Sequence, residues 1–197
     1  MKVFKSLFIV FLSLWMSSVW GQERVSYLSA EPEIDGFADA NLSNFALNEF
    51  PVVRKSSTTN PDIKAGYYIA YSERFLYLYI EAWADKLVLR DRAYQNGDGF
   101  HLMIGKPQPD GVPTDEFFVL GFSPDKGWCH KMVWYYNQKL GMSKLSDYTR
   151  FATTEDSGKI SFELLLPWSE VYPYNPLLSE KIGFNLCFVK AFGESEK

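Results

Sequence analysis

GYYIAYS at residues 66–72 and RFLYLYIEAW at residues 74–83 decide the fold. In the second run Leu76, Leu78, Ile80 and Ala82 alternate with Phe75, Tyr77, Tyr79 and Glu81. Alternation of period two marks a β-strand with two different faces, because successive side chains leave a strand on opposite sides. Ser72-Glu73-Arg74 between the runs is short enough for a hairpin turn. Outward from this pair, five more runs read as strands: GFHLMI (99–104), EFFVLGF (116–122), KMVWYY (131–136), ISFELLL (160–166) and IGFNLCFV (182–189). Turn-forming residues separate them, at 96–99 (NGDG), 106–113, 123–127 and 156–158. No long amphipathic helix is present, and residues 85–94 and 168–172 hold at most a turn or short helix. Many short strands at this spacing predict one all-β domain, an antiparallel sandwich.

The N-terminus reads differently. Lys2 and Lys5 precede an apolar run, LFIVFLSLW (7–15), then Ser17, Ser18 and Gly21. A basic, apolar, small-residue order is that of a secretory signal peptide. The run falls short of the ~20 residues that span a bilayer. We therefore expect residues 1–21 to be a signal peptide and residues 22–197 the domain, exported to the periplasm, cell surface or medium, with no membrane insertion once the signal is cleaved. Cleavage removes two lysines and no acid, so the exported chain is more acidic than the whole, whose net charge is −4. An acidic surface repels nucleic acid and anionic lipid. Cys129 and Cys187 are the two cysteines, and an oxidising compartment would let them pair if their Cα atoms approach within ~7 Å. With two histidines, widely spaced, they form no zinc motif.

Five segments, in order, resemble the family 9 carbohydrate-binding modules. Ile34-Asp35-Gly36 is similar to the "IDG" near the start of such domains. Residues 70–78 (AYSERFLYL) resemble the hairpin "YDDEYLYL", and residues 96–102 (NGDGFHL) stand where the family has "xxDSVEIF". Residues 162–170 (FELLLPWSE) resemble "EAAIPWSEL", and residues 182–186 (IGFNL) resemble "IGFNI". The resemblance implies a jelly-roll-like β-sandwich that binds an oligo- or polysaccharide, often beside a glycan-degrading domain. It also implies a sugar held between two tryptophans, and structural calcium in some members. The first stacking position maps to Tyr94 or Gln95. The sugar-contacting glutamate maps to His101, an arginine of the next strand to about Phe118, and an Asn-Asp pair to Val189 and Lys190. The second tryptophan falls beyond Lys197, so the chain reads as a diverged or C-terminally truncated member, with a last strand and a downstream catalytic or sensory domain still to follow.

A sugar site needs flat apolar faces for C–H surfaces and a few fixed polar groups at the ring edges. Tyr94, Trp128, Trp134, Tyr135 and Tyr136 are candidate faces. Asp98, His101, Glu116 and Asn137 are candidate edges. The carbohydrate-binding set is therefore Tyr94, Asp98, His101, Trp128 and Trp134. Trp83, Trp168 and the hairpin tyrosines are expected to pack, since large aromatics dominate cores. If Phe100 and Leu102 face the core, His101 faces away from it. The Asn96-Gly97-Asp98-Gly99 turn offers oxygen ligands for calcium, but it lacks the spacing of an EF-hand loop and explains itself as the turn opening a strand.

Catalysis has weaker support. Asp98, Asp115, Glu116 and Glu163 are available as a glycosidase pair, but no spacing singles two of them out. Neither a G-x-S-x-G elbow nor a phosphate-binding glycine motif occurs. The leading expectation is an exported carbohydrate-binding domain serving polysaccharide degradation, without activity of its own. The competing one is an extracytoplasmic sensory or protein-interaction domain of a larger receptor or enzyme.

Overall fold

The computed structural model describes residues 24–39, 46–50, 63–90, 96–107, 116–127, 129–136 and 139–195, and of residues 139–141 the backbone. The strands are β1 (Ser26–Tyr27), β2 (Asn48–Glu49), β3 (Ala65–Tyr71), β4 (Phe75–Trp83), β5 (Gly99–Gly105), β6 (Phe117–Phe122), β7 (Lys131–Tyr136), β8 (Lys139–Lys144), β9 (Arg150–Asp156), β10 (Lys159–Pro167) and β11 (Gly183–Val189). A short 3-10 turn, Trp168–Val171, follows β10. Among the described residues no helix is long and apolar enough to cross a membrane.

The strands form two sheets. One has the order β1-β3-β4-β10-β9, with β2 also on β3, and the other the order β11-β5-β6-β7-β8. All pairings are antiparallel except the short contact of β1 with β3, which is parallel. Face-to-face packing of the two sheets makes the jelly-roll-like sandwich expected from the alternation.

The alternation decides which residues meet. Leu76, Leu78, Ile80 and Ala82 of β4 join Ile160, Phe162, Leu164 and Leu166 of β10, and face Phe100, Leu102, Ile104, Phe118, Leu120 and Phe122 of β5 and β6. Phe100 stacks on Phe122 at 4.8 Å and meets Phe162 edge-on at 6.1 Å. Truncating such a ring costs about 3–5 kcal/mol, transfer and cavity together. Trp168, expected to pack, is buried and donates its indole N–H to the Ser72 carbonyl at 2.8 Å. Trp83 departs from that expectation. It ends β4 at 38% exposure, with the ammonium groups of Lys64 and Lys159 5.0 and 5.2 Å from its ring.

The far side of β3, β4 and β10 buries a second cluster of Tyr68, Ala70, Phe75, Tyr77, Tyr79 and Leu165, packed by Leu28, Ile34 and Leu47. The N-terminal segment is therefore a strap across this face. Glu163, fully buried, pins it by accepting the Asp35 and Gly36 N–H groups at 2.9 and 2.8 Å and the Tyr77 hydroxyl at 2.8 Å. This explains the Ile34-Asp35-Gly36 motif. Gly36 has φ +94, and a Cβ there would lie 2.6 Å from Thr154 Cγ2.

Candidate functional site

With one sheet face strapped, the outer face of the five-stranded sheet is the other broad surface. Its residues lie in rows set by the register. Cys187, His101, Gly121, Met132 and Lys144 are successive cross-strand neighbours. The next row runs Asn185, Met103, Val119, Tyr135 and Leu140. A third runs Gly183, Gly105 and Phe117. Rows are ~7 Å apart and strands ~4.8 Å apart, so these rows span the footprint of a short oligosaccharide.

Exposure grades across the face. Asn185 and Cys187 on β11 are exposed, and His101, Met103, Phe117, Val119 and Tyr135 are half-buried. Gly121 and Met132 are buried. The surface is most exposed on the β11 side and most covered toward β7. Phe117 and Tyr135 stack at 4.9 Å with planes 25° apart, so each covers one ring face of the other and the pair forms an apolar ridge on the sheet. Thiol and amide from Cys187 and Asn185 supply exposed polar edges, beside the half-buried His101 imidazole, whose Nε2 lies below the surface. Burial lowers the His101 pKa, so the ring is neutral near pH 7 and can both donate and accept.

The predicted residues separate on this frame. His101 lies on the outer face, since Phe100 and Leu102 are in the core. Trp134 is half-buried at a bulge in β7, where Val133 pairs Leu120 and Tyr135 pairs Val119, leaving Trp134 unmatched on β6. Tyr94, Trp128 and Asn137 lie outside the described residues, as do Asp115 and Gln95. The positions flanking two of them are well held. Arg90 donates to the Asn96 carbonyl at 2.5 Å, and Val88 and Asp98 exchange hydrogen bonds at 2.8 and 2.9 Å, which closes the segment before β5. Ser123 and His130 join across the β6–β7 turn through N–H to carbonyl at 3.0 Å and carbonyl to imidazole at 2.7 Å. Both closures sit at the His101 end of the sheet.

Three assignments need correction. Asp98 is not a rim group. It is fully buried, and its oxygens accept from the Lys190 ammonium at 2.8 Å, the Val88 N–H at 2.8 Å and the Ala191 N–H at 2.6 Å. Burial pushes its pKa up, and these three partners pull it back. Phe118 and Tyr136 face the core, stacked at 4.2 Å, so the outer-face residues of that register are Phe117, Val119 and Tyr135. Cys129 and Cys187 are not joined in a disulfide, the first being buried and the second exposed. Cys187 is on β11 and Cys129 just before β7, three strand spacings or ~14 Å apart across the sheet, beyond disulfide reach. Among the described residues no group of three or more His, Cys, Asp or Glu is placed to hold a metal. Sequence reasoning missed Asn185, Met103 and Phe117. Their signal was alternation: each follows or precedes a core residue by one.

No family model matches the chain, and no curated protein matches it. Solved structures do. A family 9 carbohydrate-binding module from Caldicellulosiruptor kristjanssonii in complex with cellotriose superposes with TM-score 0.58 and 12% identity, over 85% of this chain and 77% of that one. The module from the same organism in complex with glucose gives TM-score 0.57 and 16% identity, over the same shares of both chains. The chain has the fold of that family.

Proposed function

We propose that this domain is exported and binds carbohydrate on the outer face of its five-stranded sheet, around His101. The observation that carries the reading is the half-apolar outer face, exposed at β11, on a fold whose solved neighbours hold glucose and cellotriose. A neutral imidazole beside an exposed amide suits hydroxyl groups, which both donate and accept, and the apolar Phe117–Tyr135 stack beside them suits the C–H groups of a sugar. The residue types differ from those expected at the mapped positions, so the preferred sugar is this chain's own. Polysaccharide degradation is the setting we favour, with this domain contributing adhesion and a partner contributing chemistry. Export rests on the basic and apolar layout of residues 1–21.

Calorimetric titration of residues 22–197 with soluble glucan, xylan and galactan oligosaccharides tests this. We expect binding to at least one, weakened about tenfold or more by His101→Ala, as loss of one well-placed hydrogen bond to a ligand implies. Absence of heat with every glycan, using folded protein, would refute the reading.

A further inference from the structure

The sandwich has four lateral edges, and three are guarded. β8 carries Lys139 and Lys144 at its two ends. β9 is short of apolar residues and carries Arg150, Glu155 and Asp156. The β1 and β2 edge is made of two-residue strands. β11 is different. It is seven residues long, Gly-Phe-Asn-Leu-Cys-Phe-Val, without a charge, a proline or a bulge. Among the described residues it pairs only with β5. Its core-facing Phe184, Leu186 and Phe188 are half-buried, whereas their β5 partners Ile104, Leu102 and Phe100 are at most 1% exposed. Phe50 packs on Phe188 at 5.9 Å, and along the rest of this edge the core is only half covered. Long, flat, uncharged edges are what native sheets avoid unless another strand covers them.

We propose that β11 is an assembly edge that a second copy of this chain covers with its own β11, antiparallel, about a twofold axis through Leu186. Of the registers that pair residues of one face, this one overlaps the whole strand. A twofold axis normal to the sheet keeps each side chain on its own face, so directly opposed residues must share a face. Centring on Leu186 overlaps all seven residues. Phe184 opposes Phe188 of the second copy, Leu186 opposes Leu186, and Asn185 opposes Cys187. The first two pairs extend the core across the joint. The absence of charge between Gly183 and Val189 means no like charges meet between them. Because Asn185 and Cys187 lie on the outer face, the joint would also lengthen that face into one shared by two copies, an avid site for a polymer.

The register gives a sharp test. Asn185→Cys places a thiol opposite the native Cys187 of the other copy, at cross-strand distance. Under mild oxidation we expect a covalent dimer whose disulfide, mapped by mass spectrometry, joins positions 185 and 187 of different chains. Met142→Cys, exposed on β8 at the opposite edge, should give none. Leu186→Lys, an inward charge on the edge, should shift the sedimenting species from dimer to monomer with the β-sheet circular dichroism retained. If Leu186→Lys fails to fold, the cross-linking contrast stands alone as the test. A wild-type protein that sediments as a monomer at its highest soluble concentration, with Asn185→Cys uncross-linked, overturns the proposal and leaves the edge to a strand of other sequence. Equal cross-linking of Asn185→Cys and Met142→Cys also overturns it.

Discussion

Glu163 and Asp98 show how a single carboxylate is used inside this domain. Each is fully buried, and each binds main-chain N–H groups of a segment distant in sequence. Glu163 has a pKa raised above the ordinary glutamate value, chiefly by burial, which outweighs the donors at Gly36, Tyr77 and Asp35. The folded state therefore holds that proton more tightly than the unfolded chain. Its contribution is complete below the unfolded value of ~4.3 and is lost as pH rises through the folded one. Glu163→Gln removes this dependence, so its stability deficit against the parent should shrink as pH rises from 4 through the raised folded pKa. Chemical denaturation across that range checks it, and a deficit that grows with pH would reverse the sign. Asp98 has a charge partner instead. Removing Lys190 alone, as Lys190→Met, strands a buried carboxylate and should cost about 3–5 kcal/mol. The double change Asp98→Leu with Lys190→Met should cost less than the sum, a coupling that a double-mutant cycle reads directly. Neither role was legible in the sequence. A carboxylate in a turn or strand looks the same whether it faces water or a main-chain N–H, and the partners lie roughly a hundred residues away.

At the scale of elements, legibility followed the number of buried faces. β4, β5, β6, β7, β10 and β11 were readable because an aliphatic or aromatic residue recurs at every second position. β9 was not, because Phe151 is its main core contact and Thr153, Thr154, Glu155 and Asp156 look like loop. Tertiary pairing with β10 makes it a strand, through the Ser157-Gly158 turn, where φ is +51 and +77, both signs of the hairpin turn whose twist matches the strands. β8 likewise depends on β7 for its form. The strap is an element of another kind, fixed by contacts at one glycine. Thr154 and Ser161 hydroxyls donate to the Gly36 carbonyl at 3.1 and 2.5 Å, and Thr154 Cγ2 closes over the Cα. Gly36→Ala should destabilise by about 1–3 kcal/mol, from the left-handed backbone and the clash together. Adding Thr154→Ser, which keeps the hydroxyl and deletes the methyl, should recover part of that loss. Melting temperatures of the three proteins settle the order: parent, double variant, Gly36→Ala.

The whole molecule has two unlike outer faces, one closed by the strap and one to which we assign the proposed binding. The strapped face of the six-stranded sheet is closed by Leu28, Ile34 and Leu47 over buried tyrosines, and Tyr79 there is pushed up to about 12 by burial and Glu81. The face of the five-stranded sheet stays open at β11 and carries His101, Asn185 and Cys187. The sequence pointed to His101 because alternation turned it away from the core. It could not show that Asp98 turns inward, nor that Asn185 and Cys187 arrive beside His101 through a strand far along the chain. The most direct test of this division is residue-resolved nuclear magnetic resonance of the folded domain during titration with the tightest-binding oligosaccharide. The account predicts amide and side-chain shifts concentrated at His101, Met103, Val119, Asn185 and Cys187, with Tyr68, Tyr77 and Leu165 unmoved. Shifts centred on the strapped face, or none on β5 and β11 while the glycan binds, would contradict it.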